Sequence, residues 1–107
     1  MRQRVYPPSV QRTLHALGRD IGIARRKRRL PVADFAARMG VSQGTLIRLE
    51  KGEAGVSIGA VAMALLALGE LRRLEEILDV SRDDTGLMLD VASLPKRIRR
   101  PKTGPRG

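Results

Sequence analysis

Two short helical patterns on either side of one glycine constrain this fold more than any other feature of the sequence. ADFAARM, residues 33–39, ends at Gly40, and QGTLIRLE, residues 43–50, follows Ser42. Helices joined by so short a turn cross steeply, at about 90–120°, with their apolar faces on a shared core. The second helix then projects its first turn away from that core. The pattern therefore predicts an exposed helix with a polar start, held on an apolar support.

Apolar residues at alternating intervals of three and four predict three further helices. A first helix covers residues 10 to about 28 after an N-cap at Ser9, and Pro31 ends it and opens the second helix. Ser57 caps a fourth helix that stops at Gly69. Its nearly continuous apolar composition predicts that it lies buried at the centre of the domain. A fifth helix is marked by three leucines, Leu71, Leu74 and Leu78.

The predicted fold class is therefore all-α, with a five-helix domain followed by a basic C-terminal tail. Residues 1–8 form an N-terminal extension, residues 9–80 the helical domain, residues 81–94 a linker and candidate dimer or partner element, and residues 95–107 the tail. Apolar spacing in the linker fits a helical turn and a strand equally well. The tail has six basic residues, three prolines and no acidic residue. It cannot bury enough apolar surface to fold alone.

The charge of the chain favours a polyanionic partner. Lysine and arginine number 21 against 11 acidic residues, for a formal net charge of +10, which indicates nucleic acid or an acidic membrane surface. No apolar run approaches the length of a membrane span. The absence of cysteine excludes disulfides and thiolate metal sites and fits a reducing cytoplasm. With a single histidine and no phosphate-binding glycine loop, the sequence predicts no catalytic residue, no metal site and no cofactor.

The helix after Ser42 begins with side-chain types that recognise DNA bases. A glutamine can pair with adenine, an arginine with guanine, and a threonine methyl can contact that of thymine. We therefore predict that four residues of this helix contact bases: Gln43, Gly44, Thr45 and Arg48. Ser42, beside the amides of a helix N-terminus, suits a phosphate oxygen. Phosphate contacts are also predicted for four nearby basic residues: Lys51, Arg38, Arg28 and Arg26.

FAARMGVSQGTLIRLEKGE resembles the helix-turn-helix of the phage-repressor-like, or Xre, family, and the resemblance extends over about residues 17–68. Ala36 stands at the helix crossing and Gly40 in the turn, as in that family. The resemblance implies an ion pair between the first helix and the glutamate that closes the recognition helix, here Arg25 and Glu50. It also shows a departure at residues 31–32, Pro-Val, where the family usually has a polar residue and a glutamine that contacts the DNA backbone. The neighbouring cations are left to make that contact.

The order of patterns along the whole chain, including the late LPKRIRR, is similar to HipB-type antitoxins. This resemblance implies a homodimer that binds an inverted repeat of double-stranded operator DNA, represses its own operon and engages a HipA-type serine/threonine kinase toxin. The expected location is the bacterial cytoplasm, at the nucleoid. Spare apolar residues in the fifth helix and in residues 86–94 predict the dimer interface.

Two other functions stay open at this stage. A stand-alone Xre-family regulator would have no toxin, and its tail would supply only nonspecific affinity for DNA. A basic RNA-binding module would depend on charge and discriminate little between duplex sequences. Two aromatic residues, Tyr6 and Phe35, offer little stacking surface to single-stranded bases.

Overall fold

The computed structural model describes residues 5–79, 81 and 91–101, and every regular element in these ranges is helical. The five α-helices are α1 (Pro8–Lys27), α2 (Val32–Met39), α3 (Gln43–Glu50), α4 (Ile58–Leu68) and α5 (Leu71–Glu75). Val91–Ser93 form a short 3-10 helix. The all-α, five-helix fold class is thus confirmed. The helix-or-strand alternative for the linker falls mostly on residues 82–90, which lie outside the described residues.

The core lies where α1 and α2 pack against α3 and α4, and α5 packs against α4. Its largest fully buried side chains are Phe35, Met39 and Leu46. Each such side chain contributes about 1.5–3 kcal/mol by leaving water. No polar or charged side chain of the described residues is buried in it. The chain divides into two units, residues 1–76 and 77–107, and all five helices belong to the first. In the described part of the chain, none of these helices is long and apolar enough to cross a membrane.

Local capping signals determine where α3 and α4 begin and where α2 and α4 end. The Ser42 Oγ accepts a hydrogen bond from the Thr45 N–H at 3.1 Å, and the Ser57 Oγ accepts one from the Ala60 N–H at 3.0 Å. Gly40 ends α2 in the left-handed conformation, with φ of 72°. A side chain at this φ would be strained, so glycine suits the turn between α2 and α3. The predicted caps at Ser42 and Ser57 and the predicted stop at Gly40 are confirmed.

The beginning of α1 differs from the prediction. The helix starts at Pro8, and its N-cap residue is Pro7, without a side-chain cap. Proline fits this first turn because its missing N–H would have no partner inside the helix. Ser9 lies within the helix, where its carbonyl oxygen accepts a hydrogen bond from Thr13 Oγ1 at 2.9 Å. The prediction that Ser9 caps α1 is therefore wrong.

Helices α4 and α5 also depart from their predictions. Only one face of α4 is buried, through Ala60, Ala64 and Leu68, while Ile58 on the opposite face is 75% exposed. The prediction of a buried helix holds for one face only, because α1, α2 and α5 pack against that side and leave Ile58 exposed. Helix α5 ends at Glu75, before Leu78, which is 81% exposed.

Helix α1 and the end of α3 are in direct backbone contact. A Cβ atom on Gly18 would lie 2.7 Å from both the Glu50 carbonyl oxygen and the Gly52 N. Gly52 has a φ of +77°, and a Cβ atom there would lie 2.6 Å from the His15 Cα. Neither position has room for a side chain. The two glycines therefore determine how closely α1 approaches the end of α3.

We predict that Gly18→Ala lowers the free energy of unfolding by about 2–3 kcal/mol, because the added methyl group must push two backbones apart. Gly59→Ala in α4 is the matched control, since its new Cβ would meet only the Ser57 Oγ at 3.7 Å. This control should raise the free energy of unfolding by about 0.5–1 kcal/mol, as helical glycine is replaced by alanine. Urea denaturation followed by circular dichroism measures both. Equal effects of the two substitutions would contradict the close contact.

Candidate nucleic-acid interface

Helix α3 presents one side to the core and the other to solvent. Leu46 and Leu49 are buried, whereas Gln43 and Arg48 are exposed. Gly44 and Thr45 are half-buried beside them. The exposed Gln43 and Arg48 define an outward surface, which we call the α3 outer face. Gly44 is four residues before Arg48, so the two lie on the same helix face, and Thr45 follows beside them.

Ile47 belongs to the α3 outer face as well, and the sequence analysis missed it. It lies one helical turn after Gln43 and is 44% exposed, although it is apolar. The spacing of four residues from Gln43 is the signal that could have identified it. An exposed isoleucine between a glutamine and an arginine supplies an apolar contact of the kind that recognises a thymine methyl group.

A chain of hydrogen bonds orders the polar side chains of α3. Ser42 Oγ and Thr45 Oγ1 lie 3.0 Å apart, and Arg48 donates from Nη2 to Thr45 Oγ1 at 3.1 Å. Whichever hydroxyl donates in the Ser42–Thr45 pair, the other hydroxyl hydrogen is not used between them. Ser42 and Thr45 can therefore hold Arg48 in place and still offer one donor to a phosphate oxygen.

The guanidinium of Arg48 lies above the first turn of α3. A Cβ atom on Gly44 would lie 3.4 Å from Arg48 Nη1 and 3.8 Å from Ser42 Oγ. Both neighbours are ends of side chains that can move, so the fold itself does not require glycine here. Its lack of a side chain instead leaves the backbone open to close approach once Arg48 extends.

The candidate phosphate contacts fall into two groups. Ser42, Arg38 and Lys51 lie at the ends of α2 and α3, and all three are exposed. Ser42 and Lys51 flank α3 and are separated by about 13–14 Å along the helix axis. Cations and hydrogen-bond donors at this separation can contact the two sugar-phosphate backbones that border a DNA major groove about 12 Å wide.

The second group lies at the end of α1. Arg28 donates from Nη1 to the Ala24 carbonyl oxygen at 3.0 Å and from Nη2 to the Leu68 carbonyl oxygen at 3.1 Å. Arg26 donates from Nε to the Gly22 carbonyl oxygen at 3.3 Å. Arg28 thus joins the last turns of α1 and α4, a structural role that the sequence analysis did not predict.

Arg29 adopts an unexpected backbone conformation in the same basic run. Its φ is 58°, in the left-handed region where glycine is usual. The Arg29 N–H donates to the Arg26 carbonyl oxygen at 3.0 Å, and the Leu30 N–H donates to that of Arg25 at 3.2 Å. These two bonds form the Schellman turn that ends α1. The turn directs the chain into Pro31, which is exposed, and Val32, which packs against the core.

Arg25 and Glu50 form a bidentate ion pair between α1 and the last residue of α3. Arg25 Nε lies 2.7 Å from Glu50 Oε2, and Nη2 lies 3.1 Å from Oε1. Their side chains are only 12% and 19% exposed. The hydrogen bonds to Glu50 raise the pKa of Arg25 above its ordinary value, against the opposing effect of burial, and the charge of Glu50 adds to the rise. Arg25 therefore stays charged at all physiological pH values.

Additional contacts hold this ion pair in a single geometry. Arg25 Nη1 donates to the Leu30 carbonyl oxygen at 2.9 Å, which connects the pair to the turn before α2. A Cβ atom on Gly22 would lie 3.0 Å from Glu50 Oε1, so the absence of a side chain at Gly22 makes room for the carboxylate. One guanidinium therefore links α1, the α1–α2 turn and α3.

Residues 21–70 match the family model described as Helix-turn-helix. The match covers the end of α1 and all of α2, α3 and α4. This part of the chain is therefore similar to Xre-type helix-turn-helix domains, which are DNA-binding modules typical of non-enzymatic regulators. Comparisons with curated proteins and with solved structures returned no match.

We predict that Arg25 and Glu50 are energetically coupled by about 1–3 kcal/mol in a double-mutant cycle with alanine. Glu50→Ala alone should destabilise more than the coupling energy, because it leaves a largely buried guanidinium without its carboxylate. The control is the exposed pair Arg73–Glu70, separated by 3.5 Å, with side chains 74% and 39% exposed. Its coupling should be at most about 0.5 kcal/mol. Comparable couplings in the two cycles, measured by urea denaturation, would contradict this assignment.

Proposed function

We propose that this helix-turn-helix protein is a sequence-specific transcriptional repressor that inserts α3 into the major groove of double-stranded operator DNA. The observation that carries the proposal is the α3 outer face, where Gln43 and Arg48 are exposed opposite the buried Leu46 and Leu49. The major groove is about 12 Å wide and accommodates one α-helix. The match of residues 21–70 to a DNA-binding family supports the same assignment.

Base recognition is assigned to side chains on or beside this face. The Gln43 amide pairs with the N6 and N7 atoms of an adenine, and the Arg48 guanidinium pairs with O6 and N7 of a guanine. Each such bidentate pair discriminates by about 1–3 kcal/mol. Ile47 contacts a thymine methyl group, and Gly44 allows the backbone to come close. Thr45 contributes by holding Arg48 through its hydroxyl group.

Phosphate contacts are assigned mainly to the residues at the ends of α2 and α3. The hydroxyl group of Ser42 or of Thr45, whichever does not donate to the other, donates to a phosphate oxygen. Arg38 and Lys51 contribute positive charge. Arg26 adds a cation at the end of α1, and Arg28 can contact a phosphate only with its remaining N–H groups. The net charge of +10 adds affinity for any sequence. The described tail residues include four exposed cations, Lys96, Arg97, Arg99 and Arg100.

A homodimer bound to an inverted repeat completes this proposal. One recognition helix contacts too few bases to select an operator, so such domains bind in pairs to half-sites about 34–36 Å apart. We further propose that the operator lies in the protein's own operon and that the protein is the antitoxin of a HipA-like serine/threonine kinase. The support for this finer assignment is the resemblance of the whole sequence pattern, including LPKRIRR, to HipB-type antitoxins.

We expect Gln43→Ala to weaken binding to the selected operator by about 1–3 kcal/mol and to leave binding to random DNA nearly unchanged, because only the specific complex uses the amide. The operator is first obtained by selecting bound duplexes from a random pool. Gln11→Ala is the matched control, since Gln11 is exposed on α1 and its Nε2 donates to the Tyr6 carbonyl oxygen at 2.7 Å. The control should bind like the unchanged protein in fluorescence anisotropy titrations.

Two results would refute base recognition by α3. In the first, Gln43→Ala and Gln11→Ala have the same effect on operator binding. In the second, the random pool yields no consensus and the protein prefers RNA to duplex DNA, which would favour the RNA-binding alternative. A consensus with inverted half-sites supports the repressor.

The antitoxin assignment predicts a stable complex with a kinase encoded beside this protein. Co-expression of both reading frames should yield a complex that binds the operator more tightly than this protein alone. A neighbouring kinase that does not co-purify, or the absence of a neighbouring kinase gene, would favour the stand-alone regulator. DNA binding by α3 would be unaffected by either result.

A further inference from the structure

Helix α4 exposes an apolar strip on the face opposite the core. The strip consists of five residues, Ile58, Gly59, Ala62, Met63 and Leu66, which helical spacing places on one side. Ile58 is 75% exposed, Leu66 is 53% exposed and Met63 is 37% exposed. No residue of α4 is charged or polar. We call this surface the α4 strip.

An uncharged strip of this kind is unusual on the surface of a small helical domain. A helix at the edge of a core normally carries polar residues on its outer face. Contiguous exposed apolar residues mark a surface that another molecule covers. The packing of the domain itself does not require Gly59, because a Cβ atom there would meet only the Ser57 Oγ at 3.7 Å. Glycine lowers helix stability by about 1 kcal/mol relative to alanine, yet it keeps the strip flat between Ile58 and Met63.

The charge distribution indicates which molecule covers the strip. The chain as a whole carries +10, so most of its surface repels a second copy. Residues 58–76 are different, with two arginines against three glutamates. Arg72 and Arg73 are preceded by Glu70 and followed by Glu75 and Glu76, in and around α5 and directly after α4. In a contact with twofold symmetry, the same patch on both copies meets itself, so a border of mixed charge can pair with its own image.

We propose that the α4 strip is the contact between two copies of this chain, related by a twofold axis. This proposal rests on the proposed function only for the inverted repeat that such a dimer would bind. It moves the interface from the fifth helix and residues 86–94, which the sequence predicted, to α4. Small residues at Gly59 and Ala62 let the two α4 helices approach closely, while Ile58 and Leu66 pack across the axis.

The size of the strip determines the strength of the contact. Eleven helical residues extend about 16 Å, so the strip is smaller than the roughly 800 Å² per partner of a standard stable interface. The dimer is therefore weak and depends on concentration. Operator DNA, which binds two copies side by side, strengthens it by mass action.

Sedimentation of the full chain tests this proposal between about 1 and 200 µM, the range of a weak contact. The unchanged protein should approach twice the monomer mass as its concentration rises. Ile58→Lys and Leu66→Lys should each stay at the monomer mass, because a charge in the strip must lose water to enter the contact. Val10→Lys is the matched control on α1, where Val10 is 38% exposed, and it should associate like the unchanged protein. Circular dichroism verifies that each variant is folded.

Three results would overturn the α4 assignment: a monomer at every concentration, association that persists in both strip variants, or equal loss in Val10→Lys. A monomer at every concentration would mean that a different protein covers the α4 strip. Binding to a duplex with a single half-site separates this proposal from the proposed function. Strip variants that bind one half-site normally but lose affinity for the inverted repeat by tenfold or more support both. If neither the unchanged protein nor any variant selects a half-site, the proposed repressor function is refuted. The sedimentation result would still decide whether α4 forms the dimer contact.

Discussion

The contact between α1 and the end of α3 is the interaction on which the orientation of α3 depends. Gly18 and Gly52 bring the two backbones together, and the Arg25–Glu50 pair, 2.7 Å apart, sets the rotation of α3 about its axis. With the glycine contact alone, α3 could slide along α1. With the ion pair alone, α3 could tilt relative to α1. Together they leave one orientation, in which Leu46 and Leu49 face the core and Gln43 and Arg48 face outward. Because the pair is largely buried, its value lies more in specifying this orientation than in net stability.

Features that depend on a few neighbouring residues were predictable from the sequence. Gly40 marked a turn because only a left-handed residue ends α2 there, and Ser42 and Ser57 marked helix starts because their hydroxyl groups accept from nearby amides. The spacing of Phe35, Ala36 and Met39 identified the buried face of α2. From these local signals followed the outward first turn of α3, and with it most of the candidate site.

Features that depend on what another helix covers were not predictable. The composition of α4 indicated a buried helix, but only the side with Ala60, Ala64 and Leu68 has neighbours in the described part of the first unit. Arg28 is predicted from the sequence as a candidate phosphate contact, but its hydrogen bonds to the carbonyl groups of Ala24 and Leu68 depend on how α1 packs beside α4 and could not be foreseen. The exposure of Ile47 was not predicted, because an apolar residue in a helix is expected to face the core. In each case tertiary packing, absent from local sequence, decided the outcome.

We propose that DNA binds at the outer face of α3. Chemical-shift mapping by heteronuclear NMR, with isotope-labelled protein of residues 1–107 and a duplex selected from a random pool, reports on each residue separately. The largest changes are expected at the amides and side chains of Gln43, Gly44, Ile47 and Arg48, with small changes in the buried half of α1. Large changes confined to the tail residues 95–101 or to α1, with α3 unchanged, would contradict it.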